Sequence, residues 1–259
     1  ILSIDASTQS VYHFSDTDKN ISLLDISETF GTYDGSFVLY DNNLDSWKIY
    51  DLEEATKRIP PESTYKIYDA LLGLESGIIT PEHSSMTWNG DAFPFPSWEA
   101  DQDLNSAMQN SVNWYFQAID SQLGINRVQE FLNKIEYGNQ TTSSNLDLYW
   151  SDFSLKISPL EQVTLLKKFN TNEFHLNFQN VFSVKNAIKI ASTPNGNFYG
   201  KTGTGRVNGQ DINGWFIGYV ETSDNSYYFA TNIQSDSNAT GKKAFEITSD
   251  ILKKLHIWN

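Results

Sequence analysis

The spacing of apolar residues changes along this chain, and the change limits the folds that the chain can adopt. Residues 36–50 hold two β-rich runs and residues 196–232 show the two-residue alternation of strands, whereas helical spacing prevails at 103–136 and 159–170. Strands from both ends must share one core, so the pattern predicts an α+β domain. We expect an antiparallel sheet flanked by helices, with a helical lobe at about 80–190 inserted between sheet segments.

Local patterns predict the individual elements. Two β-rich runs at 36–40 and 47–50 flank turn-forming residues and predict a hairpin. Pro61 predicts the start of a helix that extends to Gly77, because proline is tolerated in the first turn. Residues 1–30 are polar and turn-rich and predict an irregular or lightly helical lead-in. Further helices are predicted at 103–124, 125–136, 159–170 and 241–255, and further strands at 197–199, 215–220 and 227–232.

Composition and charge exclude several classes of function. The chain has 259 residues, 39% of them hydrophobic, so it can bury a sizeable core, and we expect a single domain with two lobes. Its formal net charge of -14 repels nucleic-acid phosphates and anionic lipids. The absence of cysteine removes thiol nucleophiles and most structural zinc sites, and the four histidines lack metal-ligand spacing. We therefore expect no nucleic-acid partner and no metal site.

The first motif with chemical potential is Ser63-Thr64-Tyr65-Lys66, which follows Pro61. Residues three apart on a helix share a face, so the Lys66 amine can reach the Ser63 hydroxyl as a base beside a nucleophile. The backbone N–H groups of a helix start can also stabilise an oxyanion. A chance helix start with a solvated lysine is the alternative interpretation of this motif taken alone.

The second motif is Lys201-Thr202-Gly203-Thr204-Gly205, placed directly after a predicted strand that ends at Gly200. Glycine allows the close approach of a ligand, and the lysine and threonine side chains can donate hydrogen bonds to a carboxylate. Taken alone, the motif is equally consistent with an ordinary glycine-rich strand end.

The two motifs together resemble the signature pair of the penicillin-recognising serine enzymes. Two further stretches, Tyr137-Gly138-Asn139 and Tyr149-Trp150, resemble the class D, or oxacillinase-like, β-lactamases. Ser111-Val112-Asn113 stands where that family has its central serine motif. Most of the chain resembles the extracellular sensor domain of membrane-bound β-lactam receptors of the BlaR/MecR type. The resemblance implies a β-lactamase/transpeptidase-like fold.

The same resemblance implies a role for each catalytic candidate. Ser63 attacks the lactam carbonyl, and Lys66, neutral or carboxylated by CO₂, takes its proton. Ser111 passes a proton to the departing lactam nitrogen, and Trp150 donates its indole N–H to the carbamate. The backbone N–H groups of Ser63 and Thr204 stabilise the oxyanion. Apart from this carbamate on Lys66, no cofactor is expected.

The family resemblance also implies how the drug is held. The segment that binds the drug's carboxylate consists of Lys201, Thr202, Gly203 and Thr204. Class D enzymes usually add an arginine near the last helix, but this sequence has only Lys242 and Lys243 there. The sequence therefore leaves part of the carboxylate's binding site unassigned.

Asn113 distinguishes a sensor from a hydrolase. Class D enzymes usually have an apolar valine at this position, which keeps the carbamate-bearing lysine dry. An amide beside Lys66 can hydrogen-bond the amine and favour loss of the carbamate after acylation, and water then lacks a base. The acyl group would persist, as a receptor requires. An ordinary amide on a helix surface is the alternative.

Ser111 and Asn113 can face one cleft only if the backbone is irregular. Residues two apart on a regular helix point roughly 200° away from each other. We therefore predict a break between residues 108 and 114, despite the helical spacing there.

Three hypotheses follow for the chain. The first is a single sensor domain over residues 1–259, covalently acylated by β-lactams on the extracellular face of a bacterial membrane. Its partners would be the membrane-spanning and intracellular parts of the same receptor. The second is a class D β-lactamase that hydrolyses the drug, and the third is a non-catalytic interaction module with the same fold. The chain starts at Ile1 and shows no apolar run of membrane-spanning length, so we expect a mature form or a fragment.

Overall fold

The computed structural model describes residues 20–259, so most of the predicted lead-in lies outside the described residues. The strands are β1 (Ile21–Leu23), β2 (Asp34–Asp41), β3 (Ser46–Tyr50), β4 (Lys189–Thr193), β5 (Gly196–Val207), β6 (Gln210–Glu221) and β7 (Ser226–Gln234). The α-helices are α1 (Ser27–Phe30), α2 (Leu52–Thr56), α3 (Lys66–Glu75), α4 (Leu104–Gln109), α5 (Asn113–Leu123), α6 (Ile125–Ile135), α7 (Pro159–Asn170), α8 (Phe178–Ala187) and α9 (Gly241–Lys254). Short 3₁₀ helices cover Glu62–Tyr65 and Pro96–Trp98.

The strands form one sheet in the order β1-β3-β2-β7-β6-β5-β4. Neighbouring strands are antiparallel except for β1, which pairs parallel with β3. The expected antiparallel pairing is confirmed for every other pair of neighbours, and the parallel edge strand makes the sheet mixed. The predicted hairpin is confirmed as β2 and β3, while β7 joins them to the strands from the end of the chain.

Two apolar layers cover the two faces of the sheet. Alternation along β2 sends Val38 and Tyr40 into a large core with the helical lobe, and Phe37 and Leu39 into a smaller core beneath α9. In chain order, helices α2–α8 lie between β3 and β4. The sheet is thus enclosed by helices on both sides, as expected for an α+β fold.

Strand β5 departs most from the sequence prediction. The predicted strand ended at Gly200, whereas the actual strand continues through the whole Lys201–Gly205 motif and pairs with β6 along its length. Its glycines weaken the strand pattern but are required by packing. A side chain on Gly203 would lie 3.1 Å from Glu62 Cβ, and one on Gly205 would lie 2.5 Å from Glu62 Oε1. Glycine therefore lets the strand lie against the 3₁₀ helix that carries Ser63.

Other differences arise where the chain lacks a periodic apolar signal. Strand β1 replaces part of the predicted irregular lead-in, although Leu23 in this strand is exposed. Helix α8 and strand β4 were not predicted. Two phenylalanines of α8, Phe178 and Phe182, are exposed, and β4 buries none of its residues. Helix α8 buries one face, with Asn180, Val181 and Val184, but its exposed phenylalanines obscure the apolar spacing, and β4 has no buried face to give a pattern.

Candidate active site

An open cleft of about 420 Å³ lies between the start of α3, the turn from α4 to α5, and strand β5. Six predicted site residues line it, namely Ser63, Ser111, Asn113, Thr202, Gly203 and Thr204. The other lining residues are Phe95, Ser97, Trp98, Asn110, Arg206, Asp211 and Thr240. Lys66 and Lys201 lie behind this wall, with exposed fractions of 1% and 5%. The structure therefore brings together residues separated by more than a hundred positions in the sequence.

The Ser63 hydroxyl and the Lys66 amine meet at the junction of two helix types. Ser63 belongs to the 3₁₀ helix Glu62–Tyr65, and Lys66 is the first residue of α3, so the predicted continuous helix begins with a tighter turn. Residues three apart eclipse one another in a 3₁₀ helix. Accordingly, Lys66 Nζ lies 2.8 Å from Ser63 Oγ. The amine is within proton-transfer distance of the hydroxyl.

Hydrogen bonds to the sheet and to α7 fix this turn. The Pro60 carbonyl accepts from Trp215 Nε1 at 2.8 Å and from Asn213 Nδ2 at 3.1 Å. Gln162 Nε2 donates to Thr64 Oγ1 at 2.9 Å. Ser63 therefore projects from a turn that is hydrogen-bonded to strand β6 on one side and to helix α7 on the other.

The predicted break before Asn113 is confirmed. Helix α4 ends at Gln109 and α5 begins at Asn113, with Ser111 in the left-handed region at φ 54°. Lys66 Nζ donates to Asn113 Oδ1 at 2.5 Å and also lies 3.1 Å from Ser111 Oγ. The non-helical backbone thus turns both side chains towards one amine.

Burial changes the charge state of both lysines. Desolvation, reinforced by the nearby charge of Lys201, holds the pKa of Lys66 well below its usual range. Desolvation also lowers the pKa of Lys201 to about 7. Glu62, next to the nucleophile, has a pKa raised to about 8 by its burial. The lowered pKa favours the neutral form of Lys66, which can accept a proton from Ser63.

Strand β5 forms the opposite wall of the cleft. Lys201 Nζ donates to Ser111 Oγ and to the Thr202 carbonyl, both at 3.0 Å. The Gly241 N–H, at the start of α9, donates to Thr204 Oγ1 at 2.9 Å. The Thr204 oxygen accepts this bond, so its hydroxyl hydrogen can donate to a ligand.

Trp150 and Tyr137 lie away from the cleft surface. Trp150 is 3% exposed and stacks on Tyr65, and its carbonyl accepts from the Glu62 N–H at 3.0 Å. Within residues 20–259, its indole makes no hydrogen bond to Lys66. Trp150 therefore supports the turn that carries the nucleophile, and its role toward a carbamate stays a prediction. Tyr137 packs edge-on against Tyr65 and Tyr68, consistent with the core role expected for it.

The sequence interpretation missed two parts of the cleft. One is an aromatic wall, in which Phe95 packs against Trp98 and Trp98 Nε1 donates to the Asn110 carbonyl at 3.0 Å. The other is an ion pair between Arg206 and Asp211, with Nε 2.7 Å from Oδ1. Arg206 could have been found by extending the β5 alternation two residues past Thr204, but the strand was predicted to end earlier.

The residues around Lys66 can hold a carbamate. A carbamate forms on a neutral amine, and the burial of Lys66 meets that requirement. The Ser111 hydroxyl near Nζ can donate a hydrogen bond to it, whereas Asn113 presents its carbonyl oxygen to the amine. When bound, a carbamate supplies a general base. Among residues 20–259 no cluster of three or more metal-ligating side chains occurs.

Comparison with known proteins places this geometry in a family. Residues 35–253 match the penicillin binding protein transpeptidase domain. The chain is 46% identical over 241 residues to the regulatory protein BlaR1 of Bacillus licheniformis. The matched region covers 92% of this chain but only 40% of that relative. In the described part of the chain, no helix has both the length and the apolarity to cross a bilayer.

Solved structures show the same relationship. The C-terminal domain of the Bacillus licheniformis BlaR penicillin-receptor superposes with a TM-score of 0.90 at 46% identity, covering 93% of this chain and 98% of that one. The class D β-lactamase BAT-2 gives a TM-score of 0.85 at 36% identity, covering 91% and 97%. The expected β-lactamase/transpeptidase-like fold is confirmed. The chain therefore belongs to the family of penicillin-binding protein transpeptidase domains.

Proposed function

We propose that this chain is the β-lactam-binding domain of a receptor, in which the drug acylates Ser63 and stays attached. The observation that carries the proposal is the double contact of the Lys66 amine, 2.8 Å from Ser63 Oγ and 2.5 Å from Asn113 Oδ1. Through the first contact the amine activates the Ser63 hydroxyl. Through the second, Asn113 holds the amine by a hydrogen bond and disfavours the carbamate that would activate water for hydrolysis. The likeness to the BlaR penicillin-receptor domain supports the proposal.

Acylation begins with proton transfer from Ser63 to the neutral Lys66 amine. The Ser63 oxygen then forms a bond to the lactam carbonyl carbon, and the negative charge moves to the carbonyl oxygen. The backbone N–H groups of Ser63 and Thr204 stabilise that oxyanion. The carbon–nitrogen bond breaks as the carbonyl re-forms, which leaves an ester on Ser63.

Ser111 carries the proton to the leaving nitrogen. Its oxygen lies 3.1 Å from Lys66 Nζ and 3.0 Å from Lys201 Nζ. The hydroxyl gives its proton to the lactam nitrogen and recovers one from protonated Lys66, so the amine returns to its neutral state. Thr202 and Thr204 hold the carboxylate of the drug, while Gly203 leaves room for it.

Hydrolysis of the ester requires a base that activates water. We propose that the Asn113 amide competes for the Lys66 amine and disfavours a carbamate there once Ser63 carries the acyl group. The base that remains beside the ester is the Lys66 amine held by Asn113, and we expect it to activate water poorly, so deacylation is slow. A long-lived ester is what a receptor needs to report the presence of drug.

The proposed receptor extends beyond this chain. The chain spans about 40% of the length of BlaR1, which leaves room in such a protein for membrane-spanning and intracellular parts. We propose that the domain lies on the extracellular face of a bacterial membrane, where it meets β-lactams before they enter. Acylation would then be transmitted to the rest of the receptor.

A class D β-lactamase is the second candidate function. The likeness to BAT-2 favours it, because the same acylation chemistry followed by fast hydrolysis makes a hydrolase. The two functions differ only in the lifetime of the ester at Ser63.

Intact mass spectrometry after brief exposure to penicillin tests the proposal. We expect the protein mass to increase by one drug molecule and to stay increased over hours after removal of excess drug. Ser63→Ala should show no increase, and Ser106→Ala, a hydroxyl outside the cleft, should behave as the wild type.

Each other outcome contradicts the sensor proposal in a distinct way. Rapid loss of the adduct with many hydrolysed drug molecules per protein would establish the β-lactamase. Absence of any adduct would favour the third hypothesis, a non-catalytic interaction module with the same fold.

A further inference from the structure

One cation faces the open cleft, and the mechanism does not use it. Arg206 is the only Lys, Arg or His among the described residues that line the cleft. Lys201 is 5% exposed, its pKa is lowered to about 7, and its amine bonds to Ser111 and Thr202. The buried lysine therefore offers only a partial charge to a ligand at the entrance.

The course of β5 places Arg206 beside the two hydroxyls assigned to the carboxylate. Thr202, Thr204 and Arg206 are two residues apart in succession, so they share one face of the strand. A register shift between Gly205 and Arg206 bends the strand at this point. The Cα atoms of Thr204 and Arg206 are separated by roughly 7 Å, a distance that an arginine side chain can cover.

Asp211 fixes the arginine without enclosing it. Arg206 donates from Nε and Nη2 to the two carboxylate oxygens of Asp211, at 2.7 and 3.0 Å. The Arg206 side chain is 63% exposed, whereas that of Asp211 is 17% exposed. A guanidinium has five N–H donors, so several remain for a ligand. Asp211 thus orients a cation whose remaining donors are accessible.

We propose that Arg206, oriented by Asp211, binds the carboxylate of the incoming β-lactam and makes the domain selective for anionic β-lactams. The inference rests on the proposed function. A chain with a net charge of -14 repels an anionic drug, and although Asp211 offsets part of its charge, Arg206 still offers N–H donors to a carboxylate at the entrance. Arg206 would act on the encounter complex and leave the chemistry at Ser63 unchanged.

The experiment compares penicillin G with its methyl ester, which lacks the anionic carboxylate. Acylation rates are measured against drug concentration for the wild type and Arg206→Gln, and the affinity is separated from the limiting rate of acylation. We expect Arg206→Gln to weaken the affinity for penicillin G about 5- to 10-fold, the range for a partly solvated charged contact, with an unchanged limiting rate. Its affinity for the ester should equal that of the wild type.

Two further variants control for net charge and for geometry. Arg127→Gln removes an exposed arginine on α6 and should match the wild type with both drugs. Arg206→Lys should recover part of the affinity for penicillin G, because it restores the charge without the planar donor group.

The outcomes separate this inference from the proposed function. An acylated Arg206→Gln protein with the wild-type ratio of affinities for drug and ester would overturn the role of Arg206 alone. A reduced limiting rate with unchanged affinity would also overturn it. A wild-type protein that neither drug acylates would overturn both the proposed function and this inference.

Discussion

Helix α3 buries a lysine and an aspartate about one turn apart, and burial shifts their pKa values in opposite directions. Near its first residue, the amine of Lys66 contacts Ser63 and Asn113 at the cleft. One turn later, the carboxyl group of Asp69 is fully buried, and that of Asp120 on α5 is its neighbour in the core. Both environments are dry, yet only the first one opens onto solvent.

The comparison shows that burial prepares the two sites for different tasks. Desolvation disfavours the charged form in each case, so it lowers the pKa of Lys66 but raises that of Asp69. Desolvation likewise raises the pKa of Asp120 to about 7. The amine therefore gives up its proton more readily and can act as a base, whereas the acid pair holds its protons more strongly.

Removal of the Lys66 amine should have the largest effect on the reaction at the cleft. Lys66→Ala should slow acylation of Ser63 by about 10³-fold, because the nucleophile loses its base. The rate is measured by mass spectrometry as the appearance of the penicillin adduct. Lys134→Ala, an exposed lysine on α6, should acylate as the wild type does. A Lys66→Ala protein that acylates at the wild-type rate would show that another group activates Ser63.

The acid pair should make the fold less stable as the pH rises. In the folded protein the pKa of Asp120 is raised from 3.8 to about 7, so its stabilisation is complete below pH 3.8 and is lost as the pH approaches 7. Between pH 4 and pH 8 this contribution lowers the free energy of unfolding in urea by about 3 kcal/mol; Glu62 adds to the decrease, whereas the lowered pKa values of Lys66 and Lys201 oppose it.

Substitution of the pair by amides provides the control for that titration. Asp69→Asn combined with Asp120→Asn should remove the contribution of the pair, because amides do not titrate, so the pH profiles of the two proteins should differ by that contribution while Glu62, Lys66 and Lys201 titrate in both. Asp250→Asn, an exposed aspartate on α9, should keep that contribution. A pH dependence in the double variant equal to that of the wild type would place its origin in other groups.

Substitution of Asn113, whose amide contacts Lys66, should have the smallest of these effects, and it acts on the lifetime of the adduct. Asn113→Val should speed loss of the adduct about 10-fold, since the amine is freed from its 2.5 Å contact and can carry a carbamate. Mass spectrometry after drug removal measures the lifetime. The acceleration should require bicarbonate in the buffer. An unchanged lifetime, with or without bicarbonate, would disprove the role assigned to Asn113.

The Ser63–Lys66 pair could be predicted because its spacing is local in sequence, whereas the family resemblance supplied the places of Ser111, Asn113 and Lys201 in the site. Ser63 and Lys66 lie three positions apart, and the break before Asn113 followed from the requirement that it and Ser111 face one amine. The paired strands that complete the sheet also followed from their alternation. These features depend on neighbours along the chain, which a sequence displays directly.

The missed features depend on contacts between distant segments. Glycine weakened the pattern of β5, although Gly203 and Gly205 are there because the turn at Glu62 lies against them. The pairing of Asp69 with Asp120 and the placement of Arg206 at the cleft likewise follow from tertiary packing. A single sequence gives no signal for such contacts, because each residue is ordinary in its own segment.

The close approach of β5 to the Ser63 turn also affects how drug range can evolve. A Cβ atom at position 203 would lie only 3.2 Å from the Pro61 carbonyl oxygen and 3.2 Å from the Ser63 backbone nitrogen. Any side chain there would therefore press on the backbone that carries Ser63. Substitution there disturbs the reacting atoms before it alters drug preference. Variants that accept bulkier antibiotics should therefore accumulate across the cleft, around Phe95 and Trp98, where the wall can change without moving the nucleophile.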